Sequence, residues 1–292
     1  MSKITNPDRS YQLALNHNEI AICEWGDAGD QPVVALHGWL DNLASFMPLV
    51  GDGRWLKENK LRLITYDLAG HGYSGHRHQA QGYPFLDNVD DLHQLLERLQ
   101  IKDPIIMGHS MGGGVATLYS GTSGTNVKKL ILIESLGPLT QDEDKAPGQL
   151  QKHLLSRYRH TEKKAVTYPS LDEIIALRSK QNDLTIENAD LIVSRNMKKL
   201  GDSYRWRSDP RLRIPSAMYM SHKQVEAFVA NISCPVLLVY ASDGPWENYP
   251  VLGDRAELLR SKHMVALEGG HHLHMNNADD VRNEVIKFLN NN

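Results

Sequence analysis

Gly108-His109-Ser110-Met111-Gly112 follows the apolar run Pro104-Ile105-Ile106-Met107 and leads into Gly113-Gly114-Val115-Ala116-Thr117-Leu118-Tyr119. The apolar run reads as a buried strand and the following segment as a helix, so a Gly-x-Ser-x-Gly pattern falls on a sharp strand–turn–helix junction. A turn that tight holds its central residue in strained backbone geometry, and glycines two residues before and after it keep neighbouring side chains from colliding. The serine hydroxyl is lifted clear of the sheet, and the helix N-terminus beneath it favours developing negative charge. Ser110 is therefore the candidate nucleophile; the plainer reading of the same residues is a Gly/Ser-rich turn.

On either side, short apolar runs alternate with amphipathic segments, the pattern of a mostly parallel α/β sheet with helices on both faces. Tyr11 to Leu15 and Ile20 to Trp25, around Asn16-His17-Asn18, predict an antiparallel hairpin. Further strands are predicted at Pro32 to Leu36, Leu61 to Tyr66, Pro104 to Met107, Leu130 to Ile133, Cys234 to Tyr240 and Met264 to Leu267, about eight in all. Val89, Leu92, Leu95, Leu96 and Leu99 recur at helical spacing. From about Leu139 to Asn231 the rhythm breaks: the segment is charged and poor in strand signals, with helices predicted at Leu150 to Tyr158, Leu171 to Lys180 and Ile186 to Leu200. The expected organisation is a core of residues 1–138 and 232–292 carrying a helical cap, residues 139–231.

The 292 residues suffice for such a domain. A formal net charge of −3 argues against binding nucleic acid through its phosphates. No apolar run reaches the ~20 residues of a membrane span, and the first residues lack the apolar core of a signal peptide. Two cysteines, Cys23 and Cys234, read as small buried hydrophobes. The expectation is a cytoplasmic protein with no nucleic-acid or membrane partner and no cofactor.

A serine hydroxyl needs a base, an orienting acid and an oxyanion hole. Glu268-Gly269-Gly270-His271-His272-Leu273-His274 follows the last core strand, and His271, next to the glycine pair, is the candidate base. No cysteine or suitably spaced acid accompanies the three histidines, which speaks against a metal site. Two acids stand at strand ends between serine and histidine: Asp243 is placed first, with Glu134 as the alternative, and Asp243 also suits a turn in Ser242-Asp243-Gly244-Pro245. The oxyanion donors are expected to be the backbone N–H groups of Met111 and of Trp39, in the loop His37-Gly38-Trp39-Leu40.

Together His37-Gly38-Trp39, Asp67-Leu68-Ala69-Gly70-His71-Gly72-Tyr73-Ser74, Gly108 to Gly113 and Gly270-His271 resemble the α/β-hydrolase superfamily. The matches are collinear from about residue 20 to the C-terminus. Tyr204-Arg205-Trp206-Arg207-Ser208-Asp209-Pro210-Arg211-Leu212 and Ser242-Asp243-Gly244 are similar to the serine hydrolase-like subgroup. The resemblance implies Ser110 as nucleophile, His271 as base, Trp39 and Met111 as oxyanion donors, and Asp67 to Ser74 as a structural turn. The family's usual Gly-x-x-Asp is incomplete at Tyr240-Ala241-Ser242-Asp243-Gly244. Glu134 occupies the place where some relatives, certain haloalkane dehalogenases among them, carry their acid.

A serine nucleophile implies acyl transfer rather than epoxide or haloalkane chemistry, which resemblance associates with an aspartate at the elbow. The expected substrate is a small-molecule carboxylic ester. Alternatives on the same machinery are a proline iminopeptidase-type aminopeptidase, a thioesterase and a C–C bond hydrolase; a non-enzymatic ligand-binding member of the fold is the alternative of another class. Tyr204, Trp206, Met218, Tyr219 and Met220 are candidates for an acyl pocket or for cap core. Arg205, Arg207, Arg211 and Arg213 form a basic run that suits an anionic substrate or a solvated face.

Overall fold

The structure, a computed structural model, describes residues 4–160, 166–244 and 250–291. Among the described residues the strands are β1 (Arg9–Ala14), β2 (Glu19–Trp25), β3 (Gln31–Leu36), β4 (Leu61–Tyr66), β5 (Ile105–His109), β6 (Lys129–Ile133), β7 (Met197–Leu200), β8 (Ser203–Trp206), β9 (Val236–Ala241) and β10 (Lys262–Leu267). Eight of them form one sheet in the order β1-β2-β4-β3-β5-β6-β9-β10. β1 and β2 pair antiparallel, β2 joins β4 antiparallel, and every pair from β4 to β10 is parallel. The hairpin and the strand count match the sequence reading.

Alternate residues of the central strands enter opposite cores, as a period of two requires. Val34, Leu36, Ile106, Leu130, Leu132 and Leu238 pack on one face against α3 (Asp87–Arg98), α4 (Met111–Ser120) and α8 (His222–Asn231). Val33, Ala35, Ile105, Met107, Ile131 and Val239 pack on the other against α1 (Met47–Val50), α2 (Arg54–Glu58) and α11 (Ala278–Asn290). Leu92, Leu95 and Leu96 of α3 are the buried members of the helical pattern seen in the sequence. No helix among the described residues is long and apolar enough to cross a membrane.

Between β6 and β9 the chain leaves the sheet and forms α5 (Ala146–His160), α6 (Leu171–Asn182), α7 (Ile186–Asn196) and a 3-10 turn, Pro210–Arg213, before α8. This excursion has its own apolar cluster, with Ile174, Ile175, Leu184, Ile192, Val193 and Met197. One expectation fails here: the helix predicted to reach Leu200 stops at Asn196. Met197–Leu200 instead pairs antiparallel with Ser203–Trp206 around Gly201, whose φ of +60° suits a tight hairpin. Cross-strand pairing overrides the helical propensity of Lys198 and Lys199. After β9 come α9 (Pro250–Glu257), β10, α10 (Leu273–Asn276) and α11.

Candidate active site

Because β3, β5, β6, β9 and β10 are parallel neighbours, the loops after them gather on one edge of the sheet. Ser110 follows β5 with φ 50° and ψ −116°, a conformation that costs an L-residue strain. Its N–H donates to the Ile133 carbonyl at 3.0 Å, and its carbonyl accepts from Gly114 N–H at 3.1 Å. The flanking glycines are steric necessities: a Cβ on Gly108 would stand 2.5 Å from the Gly112 carbonyl oxygen, and one on Gly112 would stand 2.2 Å from that of Leu36. The N–H groups of Trp39 and Met111 have no hydrogen-bond partner among the described residues, so both remain available to an oxyanion.

The base candidate meets an acid, and it is Glu134. Nδ1 of His271 lies 3.3 Å from Glu134 Oε2; the imidazole is 38% exposed while the carboxylate side chain is fully buried. Glu134 stands at the end of β6 with φ +54°. Its Oε1 accepts from the Ala241 N–H at 2.6 Å, and its own N–H donates to the Val239 carbonyl at 2.9 Å. Gly244 completes the niche, since a Cβ there would stand 2.5 Å from Glu134 Oε2.

Asp243, placed first from sequence, is not brought to His271. Its N–H donates to the Gly269 carbonyl at 3.2 Å and Gly244 N–H to that of Ala241 at 3.1 Å, a turn that leaves residue 243 exposed. Its carboxylate makes no hydrogen bond or ion pair among the described residues. With Nδ1 of His271 on Glu134, Nε2 is left for Ser110; the two side chains share no hydrogen bond here. What joins the nucleophile and base loops is the residue before the serine: His109 Nε2–H donates to the backbone carbonyl of His271 at 2.8 Å.

Sequence reasoning missed Asp41. This carboxylate, 1% exposed, lies in the oxyanion loop, 3.3 Å from His272 Nε2 and 3.7 Å from His109 Nδ1, and it is bound by the Arg178 guanidinium of α6. Burial alone would raise its pKa, but His272, Arg178 and His109 outweigh burial and hold it well below the carboxylate range. The one local signal, an Asp-Asn pair, points only to the turn that Asn42 caps through Ala44 N–H.

Neutral buried histidines shape the same loop. His37 Nδ1 pairs with the Gly38 carbonyl at 2.7 Å and Nε2 accepts from Leu68 N–H at 2.9 Å. His71 Nε2 accepts from the N–H of Leu40, which sits at φ +58°. Burial, reinforced by His37, pushes His71 down to about 3, and burial with His272 does the same to His274. Asp67, in the turn expected to be structural, accepts from Leu43 and Tyr73 N–H and holds Arg195 of α7. Asn42 Nδ2 donates to the Ile192 carbonyl and Trp39 Nε1 to that of Leu212, which ties the excursion down over the oxyanion loop. Among the described residues no group of three or more His, Cys, Asp or Glu side chains has the arrangement of a metal site.

Residues 31–278 match the model of the α/β-hydrolase fold family. The chain is 27% identical over 291 residues to the serine hydrolase-like protein of Danio rerio, covering 96% of this chain and 87% of that one. It is 26% identical over 297 residues to serine hydrolase-like protein 2 of Homo sapiens, covering 95% and 93%. Among solved structures, the hypothetical protein PA1622 of Pseudomonas aeruginosa superposes with a TM-score of 0.89 at 32% identity, covering 97% of this chain and 99% of that one. With the parallel sheet and the strained serine turn, these likenesses decide the family: the chain is an α/β hydrolase of the serine hydrolase-like subgroup.

Proposed function

We propose that this hydrolase cleaves carboxylic esters through an acyl-enzyme on Ser110, with His271 as base, Glu134 as orienting acid, and the N–H groups of Trp39 and Met111 as the oxyanion hole. Residues 139–231 act as a cap over the site. Ser110 Oγ attacks the ester carbonyl carbon while His271 Nε2 takes the hydroxyl proton. Glu134 holds the Nδ1–H tautomer and stabilises the imidazolium that forms. The two N–H groups take the negative charge of the tetrahedral intermediate. Collapse breaks the carbon–oxygen bond to the alcohol, which leaves with the proton from His271. Water then repeats the cycle on the acyl-serine, giving its proton to His271, and the acid departs as Ser110 recovers its hydrogen.

The observation that carries this reading is the partly open His271 held at Nδ1 by a fully buried carboxylate, on the same sheet edge as a serine at φ 50°. Intact-mass analysis after treatment with a fluorophosphonate tests it without knowledge of the substrate. One adduct on the wild type and none on Ser110→Ala is expected, and Ser110→Ala should lose at least about 10³-fold in ester turnover. A wild type that takes up no probe would mean that the site is closed by its cap or that the fold serves as a binding module. Esters of graded acyl length, thioesters and prolyl amides then sort the acyl group.

A further inference from the structure

A cavity of about 330 Å³ lies between the oxyanion loop and the excursion. The core side supplies Trp39 and Leu40; α6 supplies Ile174, Leu177 and Arg178, at helical spacing on one face; Trp206 and Arg213 close the remainder. Trp39 is 50% and Leu177 53% exposed, large apolar surfaces left open in one place. Trp39 Nε1 is pinned to the Leu212 carbonyl at 3.1 Å, so the indole is held beside the turn that carries Arg213. Trp39 lines this cavity and its N–H is the proposed oxyanion donor, so the cavity adjoins the loop that would hold the acyl carbonyl.

Its charge is one-sided. Among the described residues two guanidiniums line it and no carboxylate does. Arg178 is committed to the buried carboxylate of Asp41, which neutralises its charge. Arg213 is exposed and has no ion pair or hydrogen bond among the described residues. Of the rest of the basic run, Arg205 does not line the cavity, and Arg207 and Arg211 are committed elsewhere. Arg207 stacks on Tyr73 and binds the Met197 carbonyl, while Arg211 clamps Asp209 and the carbonyls of Arg77, His78 and Gln81.

We propose that this cavity takes a short acyl or aryl group bearing an anionic terminus, a carboxylate or phosphate, and that Arg213 is the residue that reads the charge. The proposal rests on the acyl-hydrolase reading of the adjacent site. The tryptophan and leucine walls receive the apolar body, and a volume near the small end of the roughly 300–1,000 Å³ of ligand pockets excludes a long fatty chain. A guanidinium without a counter-ion meets a carboxylate or phosphate through charge-assisted hydrogen bonds.

Two measurements test this. The first compares kcat/KM for mono-4-nitrophenyl adipate with that for 4-nitrophenyl hexanoate, esters of equal length that differ in the terminal carboxylate. The wild type should prefer the adipate by about 10-fold or more, chiefly through KM; Arg213→Gln should cut the ratio at least fivefold and Arg213→Lys should keep part of it. The second follows tryptophan fluorescence of Ser110→Ala during titration with 4-phenylbutyrate, 2-phenylethyl phosphate and neutral 4-phenylbutanamide. Binding of an anion but not the amide, weakened by a further Arg213→Gln, supports the proposal, and the better anion identifies the terminus. Equal handling of anionic and neutral compounds in both assays overturns it, while hexanoate turnover would leave the hydrolase reading standing. Selective anion binding with turnover of neither ester has the opposite meaning: the anion site stands and the ester reading falls.

Discussion

His271 and His272 are adjacent in the chain, and each sets a ring nitrogen 3.3 Å from a carboxylate, yet the two pairs live in different media. His271 is 38% exposed beside Glu134; His272 is 4% exposed beside Asp41. A carboxylate–imidazole pair open on one side leaves the far nitrogen to exchange a proton with substrate. A sealed pair lacks that access, and this one joins the loop of Trp39 to the loop of His271 and, through Arg178, to α6. Solvent access separates the two roles.

The largest expected effect tests that division directly. His271→Ala should lower kcat/KM for an ester by about 10³-fold or more and leave the melting temperature nearly unchanged. His272→Ala should do the reverse, costing roughly 1–3 kcal/mol of stability by stripping a partner from buried Asp41, with a much smaller kinetic effect. Equal kinetic losses would erase the distinction between the pairs.

Next comes the choice of acid. Glu134→Gln should cost about 10²- to 10⁴-fold in kcat, because the amide no longer favours the right tautomer or the imidazolium. Asp243→Asn should stay within about twofold, since its carboxylate makes no hydrogen bond or ion pair among the described residues. Steady-state kinetics of the two variants would show whether the rank order holds. A smaller loss, about 10- to 100-fold, is expected for Gly244→Ala, whose new methyl would displace the Glu134 carboxylate; rescue by shortening the acid, in Glu134→Asp with Gly244→Ala, would confirm the steric cause.

The sealed region also sets the response to acid. His71 and His274, pushed down to about 3 by burial, bind a proton in the unfolded chain below pH ~6.5 but not in the folded one until far lower. Stability therefore falls as pH drops from about 6.5 towards 3, by roughly 2 kcal/mol per histidine between pH 7 and 5. Asp41, held below the carboxylate range, likewise binds its proton more tightly in the unfolded chain, with the same consequence. Its contribution is complete above the unfolded value of about 4 and is lost as pH falls through its folded pKa. Urea unfolding at pH 7, 6 and 5 should show this loss, and His71→Phe should flatten the dependence; a flat profile in the wild type would mean the cluster accepts protons while folded.

Much of the molecule is legible from the chain. Strand positions, the sheet class and the Ser110 turn follow from short-range patterns: period two with both faces apolar, glycines where a Cβ collides, and a helix starting directly after a strand. A local steric rule holds wherever the segment ends up, so these readings need no knowledge of neighbours. The hairpin of β7 and β8 reads as helix in sequence because cross-strand pairing, absent from the local signal, decides it. The acid stays open for a related reason. Glu134 and Asp243 both end strands between the serine and the histidine, and the sequence does not say which carboxylate is buried against a residue 137 positions away. Asp41 is invisible in sequence, for its partner His272 lies 231 residues on. Local chemistry names which groups are able to react. Burial and long-range contact, products of the folded chain alone, decide which of them meet and which are sealed from water.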